Sequence, residues 1–192
     1  MLQLKPSTYV HKAEVLECAY SISQEEIKAN VHFSLILDLC LRFLHLNKDK
    51  RLFFYLETPD GLSRETDVSS DTFSKNPTEA FRVDFESFEK ASALLFYFSD
   101  LLSKDGLCRY KFGTDEGDEF IVGKYNIITV IGENVERYEE LFINAQIPKT
   151  EKLITAYDTF TKETPGFTKS CTFKGIGVMD IPEYLKMYGI IS

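Results

Sequence analysis

Apolar and polar residues alternate over the leucine-rich stretch from Ile27 to Phe43. The odd-numbered positions are all apolar, and the even-numbered ones are polar except for Ile36 and Cys40. A period of two is typical of a β-strand, because successive side chains of a strand point to opposite faces of the sheet. The pattern therefore predicts a strand over 27–46, and this unusual length predicts a bend or bulge near 34–38.

The segment before this stretch predicts a hairpin with it. Its apolar residues occupy the even positions from 16 to 22. A four-residue turn over 23–26 would pair Ile22 with Ile27 and Tyr20 with Ala29. This register places apolar side chains opposite one another on a single face of the sheet.

The segment after the stretch predicts a second hairpin with the same buried face. A turn over 47–50 would pair Phe43 with Phe54 and Leu41 with Leu56. The two hairpins together predict a three-stranded N-terminal meander.

A helix is the alternative interpretation of the leucine-rich stretch. Ser23 and Glu26 have the spacing of a capping box, and leucine is a good helix former. We prefer the strand because a helical wheel of the stretch has no clean polar side. Whether 27–46 is one bent strand, two strands or a helix stays open.

Later segments complete the prediction of an α+β fold. Apolar residues recur every three or four positions through 86–104, which predicts a helix that covers the sheet. We expect a curved antiparallel sheet of about six to eight strands, packed on this central helix, with two or three C-terminal helices. A length of 192 residues fits one domain over 1–192. Further strands are predicted near 62–68, 80–85, 107–112, 119–131 and 170–178, further helices after Asn134, over 151–162 and over 180–188, a turn or bulge at Gly123, a turn over 58–61 and a loop over 69–78.

Composition narrows the classes of function. The net charge of −8 disfavours nucleic acid, whose binding depends on many Lys and Arg contacts. No apolar run is long enough to span a membrane, and the first residues lack the apolar run of a secretory signal, so we expect a cytoplasmic protein. The four cysteines and three histidines show no metal-ligand spacing, and we expect reduced thiols, no metal and no cofactor.

Negative charge is concentrated between Asp115 and Glu140. Eight acidic residues and two basic ones give this segment a net charge of −6. Such a segment can attract a basic surface of another protein, although solvated surface is the simpler interpretation. No catalytic motif is present, so we expect a non-enzymatic binding, inhibitor or chaperone-like role with a protein partner, through the acidic loop and helix or through an exposed sheet edge. The predicted partner-binding residues are Asp115, Glu116, Asp118, Glu119, Glu136, Glu139 and Glu140.

A small-molecule site, in a binding protein or an enzyme, is the alternative function. The chain holds 26 Phe and Tyr residues, and some of them can line an apolar pocket between the sheet and the central helix. They can equally fill the core. The predicted pocket residues are Phe96, Tyr97, Phe98, Tyr110 and Phe112.

Overall fold

Strands and short helices alternate along the computed structural model, which describes residues 1–58, 64–65 and 79–187. The strands of the described residues are β1 (Thr8–Tyr9), β2 (Ala19–Ile22), β3 (Glu26–Asn30), β4 (Leu52–Thr58), β5 (Arg64–Glu65), β6 (Glu79–Phe85), β7 (Arg109–Thr114), β8 (Glu119–Val122), β9 (Ile127–Ile131), β10 (Gly166–Thr168), β11 (Thr172–Phe173) and β12 (Ile176–Gly177). The α-helices in the same ranges are α1 (Ile36–Leu46), α2 (Phe88–Tyr97), α3 (Ser99–Lys104), α4 (Glu139–Asn144) and α5 (Ile181–Met187). The fold is α+β, as the sequence predicts.

One antiparallel sheet dominates the structure. In the described part of the chain it has seven strands in the order β2-β3-β9-β8-β7-β4-β6, while β1-β10-β5 and β11-β12 form two small sheets. The segment from Pro148 to Thr150 lies along the edge strand β2 and forms hydrogen bonds with its backbone. The Tyr20 amide donates to the Pro148 carbonyl at 3.0 Å, and the Thr150 amide donates to the Tyr20 carbonyl at 2.7 Å. These bonds occupy backbone groups that an exposed edge would offer to another strand.

The first predicted hairpin is confirmed, including its register. Strands β2 and β3 pair Ile22 with Ile27 and Tyr20 with Ala29. Ile27 and Ala29 are fully buried, on the face that the helices cover. The Ser23 hydroxyl accepts a hydrogen bond from the Glu26 amide at 3.2 Å, which closes the turn.

The long strand over 27–46 is wrong beyond Asn30. The chain leaves the sheet there, makes a 3₁₀ turn over Phe33–Leu35, and continues as the helix α1. Ile36, which the alternation placed on the solvent side, is fully buried. The error has a physical cause, because α1 packs on the sheet with α2 and α4 beside it, and its apolar residues extend from the buried side onto half-buried and exposed positions.

The second predicted hairpin is therefore wrong as well. Strand β4 lies between β7 and β6, so Phe54 pairs with Phe112 and Val83 instead of Phe43. Its buried face was predicted correctly, because Leu52, Phe54 and Leu56 all point to the helical side of the sheet.

The helix predicted over 86–104 is present as two helices, α2 and α3. They meet at Phe98, which ends one and precedes the other. The Ser87 side chain accepts a hydrogen bond from the Lys90 amide at 3.4 Å and caps α2. Both helices bury leucines against the core that α1 and the sheet share.

Other predicted elements are shorter than expected. The helix over 151–162 is wrong, since only a 3₁₀ turn over Ala156–Thr159 is present, with Thr155 rather than Thr150 as its cap. Asn134 makes no capping bond, and the helix that follows it begins as a 3₁₀ turn over Val135–Tyr138. The strand over 119–131 is two strands, β8 and β9. The chain turns near Gly123, where a turn or a bulge was predicted.

The second face of the sheet has a smaller aromatic core at one end. Ile127 lies there beside the rings of Tyr125, Tyr157 and Phe160, whose centroids are 5.0–5.6 Å apart. The Tyr125 backbone is left-handed, with φ of 56°, and it forms part of the turn between β8 and β9. The turn thus directs a large ring into the small core.

Some predictions fall on residues that lie outside the ranges described by the structure. These are the turn residues 59–61, most of the strand over 62–68, and the loop over 69–78. Among the helices of the described ranges, none combines the length and the apolar character that crossing a membrane requires.

Candidate functional site

The hairpin between β7 and β8 brings four of the predicted partner-binding carboxylates to one turn. The amide of Asp118 donates to the Thr114 hydroxyl at 3.2 Å, and the Thr114 amide donates to the Asp118 carbonyl at 2.9 Å. Gly117 adopts φ of 92°, which glycine allows without strain. This tight turn holds Asp115 and Glu116 at its exposed tip.

Asp118 is buried and lies among cations. Its Oδ2 atom is 2.7 Å from Lys50 Nζ and 3.5 Å from the guanidinium of Arg137. Burial lowers the pKa of Lys50, but the hydrogen bonds to Asp118 and Glu116 outweigh it and raise that pKa. A side chain at Gly132 would collide with the Asp118 carboxylate, so the chain after β9 approaches closely. Asp118 therefore joins three segments of the fold.

A second set of polar contacts connects the residues around Asp118 to the end of α1. The Tyr138 hydroxyl donates to the Asn47 side-chain oxygen at 3.1 Å and accepts from Arg137 at 2.6 Å. The Asn47 amide group donates to the Phe43 carbonyl at 2.9 Å, near the end of α1. The hairpin tip, the start of β4 and the segment before α4 are thus held together.

The seven predicted partner-binding carboxylates fall into two groups. Asp118 is buried, while Glu119 and Glu139 are half-buried in ion pairs with Lys111 at 2.5 Å and Lys149 at 2.8 Å. These three stabilise the fold. The four exposed carboxylates, which we call the acidic face, are Asp115, Glu116, Glu136 and Glu140.

The acidic face is less negative than the sequence suggests. The segment between α1 and β4 lies against the hairpin tip, where the Asp115 amide donates to the Arg51 carbonyl at 3.1 Å. This segment contributes Lys48, Lys50 and Arg51 with a single carboxylate. Lys50 also pairs with Glu116 at 2.6 Å. Cations that are distant in the sequence therefore offset part of the charge.

Glu139 links the start of α4 to the edge strand β2. Its Oε1 atom accepts from Lys149 at 2.8 Å and from the Tyr20 hydroxyl at 2.9 Å. The hydrogen bond to Lys149, followed by that to Tyr20, lowers the pKa of Glu139. Burial, with the nearby Glu139 charge, raises the pKa of Tyr20 to about 12.

Replacement of Glu139 should have a pH-dependent effect on stability. A carboxyl whose folded pKa is lowered stabilises the fold above its unfolded pKa and loses that effect as the pH falls through the folded value. We expect Glu139→Gln to lower the free energy of unfolding by about 0.5 kcal/mol at neutral pH, since water screens a partly exposed pair. The difference should be smaller near pH 3, which is below the ordinary Glu pKa of about 4.3, and it should disappear as the pH falls through the lowered pKa of the folded state.

Urea unfolding at the two pH values measures this effect, with Glu136→Gln as the matched control. Glu136 is exposed on the neighbouring turn, so its replacement should change stability little at either pH. A Glu139→Gln deficit that is equally large at low pH would show that the charge of Glu139 contributes nothing.

The five predicted pocket aromatics are divided between the surface and the core. Phe96 and Tyr97 are 63% and 57% exposed on the outside of α2. Phe98, Tyr110 and Phe112 are buried in the core, where the Phe54 ring lies 5.1 Å from that of Phe112. These three rings contribute packing, and the first two contribute exposed surface.

A groove that the sequence analysis missed lies beside the acidic face. It has a volume of about 360 Å³ and runs between α1 and α4, with the first residue of α2 at one wall. Glu140 of the acidic face is part of its lining. The lining residues are Leu41, Arg42, His45, Leu46, Phe88, Glu140, Leu141 and Asn144. The misassigned helix α1 contributes half of these residues, which is why sequence reasoning could not find the groove.

The cysteines show no sign of reactivity. All four are free, and burial raises the pKa of Cys40 and of Cys108. Raised pKa values keep thiols protonated and poorly nucleophilic at neutral pH. Within the described residues, no three His, Cys, Asp or Glu side chains are placed to hold a metal ion.

Comparison with known proteins gives no assignment. No family model, no curated protein and no solved structure matches this chain.

Proposed function

We propose that this protein acts by binding another protein, without catalysis, through the acidic face. The partner presents a basic surface. The observation that supports this function best is the position of Asp115, Glu116, Glu136 and Glu140, which are exposed on a frame that other charges hold in place.

The frame matters because binding is favoured when charges are held in position beforehand. The hairpin tip and the segment before α4 are connected through Asp118 and Arg137, and through Lys50 on the other side. The backbone that carries these carboxylates therefore loses little conformational freedom when a partner binds. They also steer a basic partner from a distance, and this steering weakens as salt is added.

The fold uses the carboxylates of the acidic face little. The side chains of Glu136 and Glu140 form no hydrogen bond or ion pair with the described residues, and Glu116 pairs with Lys50 while its side chain is 64% exposed. Surface pairs of this kind contribute little stability. Neutral replacements at the four positions should therefore leave the fold intact, so an effect on binding can be separated from unfolding.

The test is capture of partners from a lysate of the source organism at low and moderate salt. We expect a variant with Asp115→Asn, Glu116→Gln, Glu136→Gln and Glu140→Gln to recover its partner with about tenfold lower affinity, as loss of about 1.4 kcal/mol implies. Quantitative mass spectrometry of the captured proteins measures the change.

A second variant controls for the change in net charge. It carries four Glu→Gln replacements at exposed positions of other segments, and it should capture the same proteins as the unmodified chain. Those positions are Glu14, Glu17, Glu163 and Glu183. Equal recovery of every partner by both variants and the unmodified chain would contradict binding through the acidic face.

A further inference from the structure

We infer that the groove between α1 and α4 binds an amphipathic helix of the partner, with two apolar anchors one turn apart and a Lys or Arg beside them. This inference rests on the proposed function and specifies the partner's chemistry. Four apolar side chains line the groove: Leu41, Leu46, Phe88 and Leu141.

The charges of the groove favour a cationic partner. Arg42 is held by Asp38, whose Oδ2 atom is 2.7 Å from Arg42 Nε, so its charge is already balanced. Glu140 lines the groove and makes no ion pair with the described residues. Glu136, also exposed, lies four residues before it. An apolar segment that enters the groove with a Lys or Arg at its side would therefore meet an unbalanced carboxylate.

The walls favour a helix over an extended strand. They are formed by α1, α4 and the start of α2, whose central backbone groups are bonded within each helix. An extended peptide would find few partners there for its own amides and carbonyls, whereas a helix satisfies them internally.

The dimensions favour two anchors. From Leu41 to Leu46 the lining covers five steps of α1, about 7 Å at roughly 1.5 Å per residue. Apolar side chains at i and i+4 of a bound helix are about 6 Å apart on the same scale. Leu46 is 51% exposed, and Ile143, in the same turn of α4 as Asn144, is 55% exposed. An open groove beside these exposed apolar residues can contact one stripe of side chains of a bound helix.

A synthetic peptide tests the inference directly. The probe is a fluorescein-labelled helix of about 15 residues, close to the shortest length that is helical alone in water, with leucines at i and i+4 and with lysine and alanine elsewhere. Two control peptides replace either the leucines with serine or the lysines with glutamate. We expect fluorescence anisotropy to give about tenfold weaker binding for each control, since each lacks one of the two complementary features.

Variants of the protein locate the binding. We expect Leu46→Ser and Glu140→Lys each to weaken the leucine–lysine peptide about fivefold to tenfold, by loss of apolar contact and by repulsion. The matched controls Ile154→Ser and Glu183→Lys make the same changes at exposed positions elsewhere and should leave its affinity unchanged. Leu46 and Glu140 are exposed, so neither replacement should unfold the chain.

Two results would overturn the inference. One is equal binding of the serine control peptide, which would mean attraction by charge alone. The other is a concentration-dependent dimer in sedimentation that Leu46→Ser abolishes, which would assign the groove to a second copy of this chain.

The outcome for the groove is separable from the outcome for the acidic face. Leu46→Ser keeps every carboxylate. The variant with all four acidic-face replacements is here called the fourfold variant. If Leu46→Ser still captures a partner that the fourfold variant loses, the groove inference fails and the proposed function stands. If the fourfold variant also keeps every partner, both fail.

Discussion

Asp105→Ala should destabilise the protein by about 3–5 kcal/mol, the size expected when a buried and fully bonded carboxylate is removed. Asp105 has no exposed surface. Its Oδ1 atom accepts from the amides of Leu107 and Cys108, both at 2.9 Å. Its Oδ2 atom accepts from the Ser170 hydroxyl at 2.8 Å and the Cys171 amide at 2.9 Å. Alanine would leave four donors unsatisfied.

The backbone of Asp105 also contacts a buried lysine. Lys5 is 1% exposed, and its ammonium donates to the Asp105 backbone carbonyl at 2.9 Å. The Lys5 amide in turn donates to the Asn126 side chain at 3.0 Å. Alanine keeps the backbone carbonyl that Lys5 contacts, so the expected cost of Asp105→Ala comes from the four hydrogen bonds of the carboxylate. The N-terminal segment, the end of α3 and residues 170–171 meet at this one position.

Urea unfolding followed by far-ultraviolet circular dichroism measures the effect, because the chain has no Trp. Lys5→Met is the informative companion variant. It removes the buried charge but retains a flexible chain of similar length, so it should cost only about 1 kcal/mol. A change below about 1 kcal/mol for Asp105→Ala would contradict the four hydrogen bonds, since even one unsatisfied buried donor costs roughly that amount.

Sequence patterns predicted well those elements that have one buried side and one exposed side. The hairpin of β2 and β3 has this property, and the parity of Ile22 and Ile27 gave its register. Helix α2 also has it, with Leu94 and Leu95 buried and Phe96 and Tyr97 exposed. In both cases a single period separates core from solvent.

The same reasoning failed for α1 because apolar residues, including Leu37 and Leu46, also occupy part of its outward side. Eight of its eleven residues are apolar, since it packs against the sheet and has α2 and α4 beside it. A helical signal was nevertheless present in its polar residues. Asp38, Arg42 and His45 follow the helical spacing i, i+4 and i+7, and all three are exposed. In a helix whose outward side is also partly apolar, the polar residues identify the period better than the apolar ones.

The candidate site shows a second limit of sequence reasoning. Counting charges between Asp115 and Glu140 identified the acidic hairpin and helix, but that count treats every carboxylate alike. The structure separates them by their contacts with Lys50, Lys111 and Lys149, two of which precede the segment and one of which follows it. Only the folded chain shows which charges are internally balanced and which face solvent.

Replacement of two neighbouring residues tests the assignment of α1. Ile36 is fully buried, whereas Leu37 is half-buried, so Ile36→Ala should cost about 3–4 kcal/mol and Leu37→Ala about 1–2 kcal/mol. Alternation in a strand predicts the opposite order, because it directs position 37 to the core and position 36 to solvent. The two side chains are isomers, so each replacement removes the same number of carbon atoms. Urea unfolding of the two variants gives the order directly, and a larger loss for Leu37→Ala would refute the helix together with the groove that it lines.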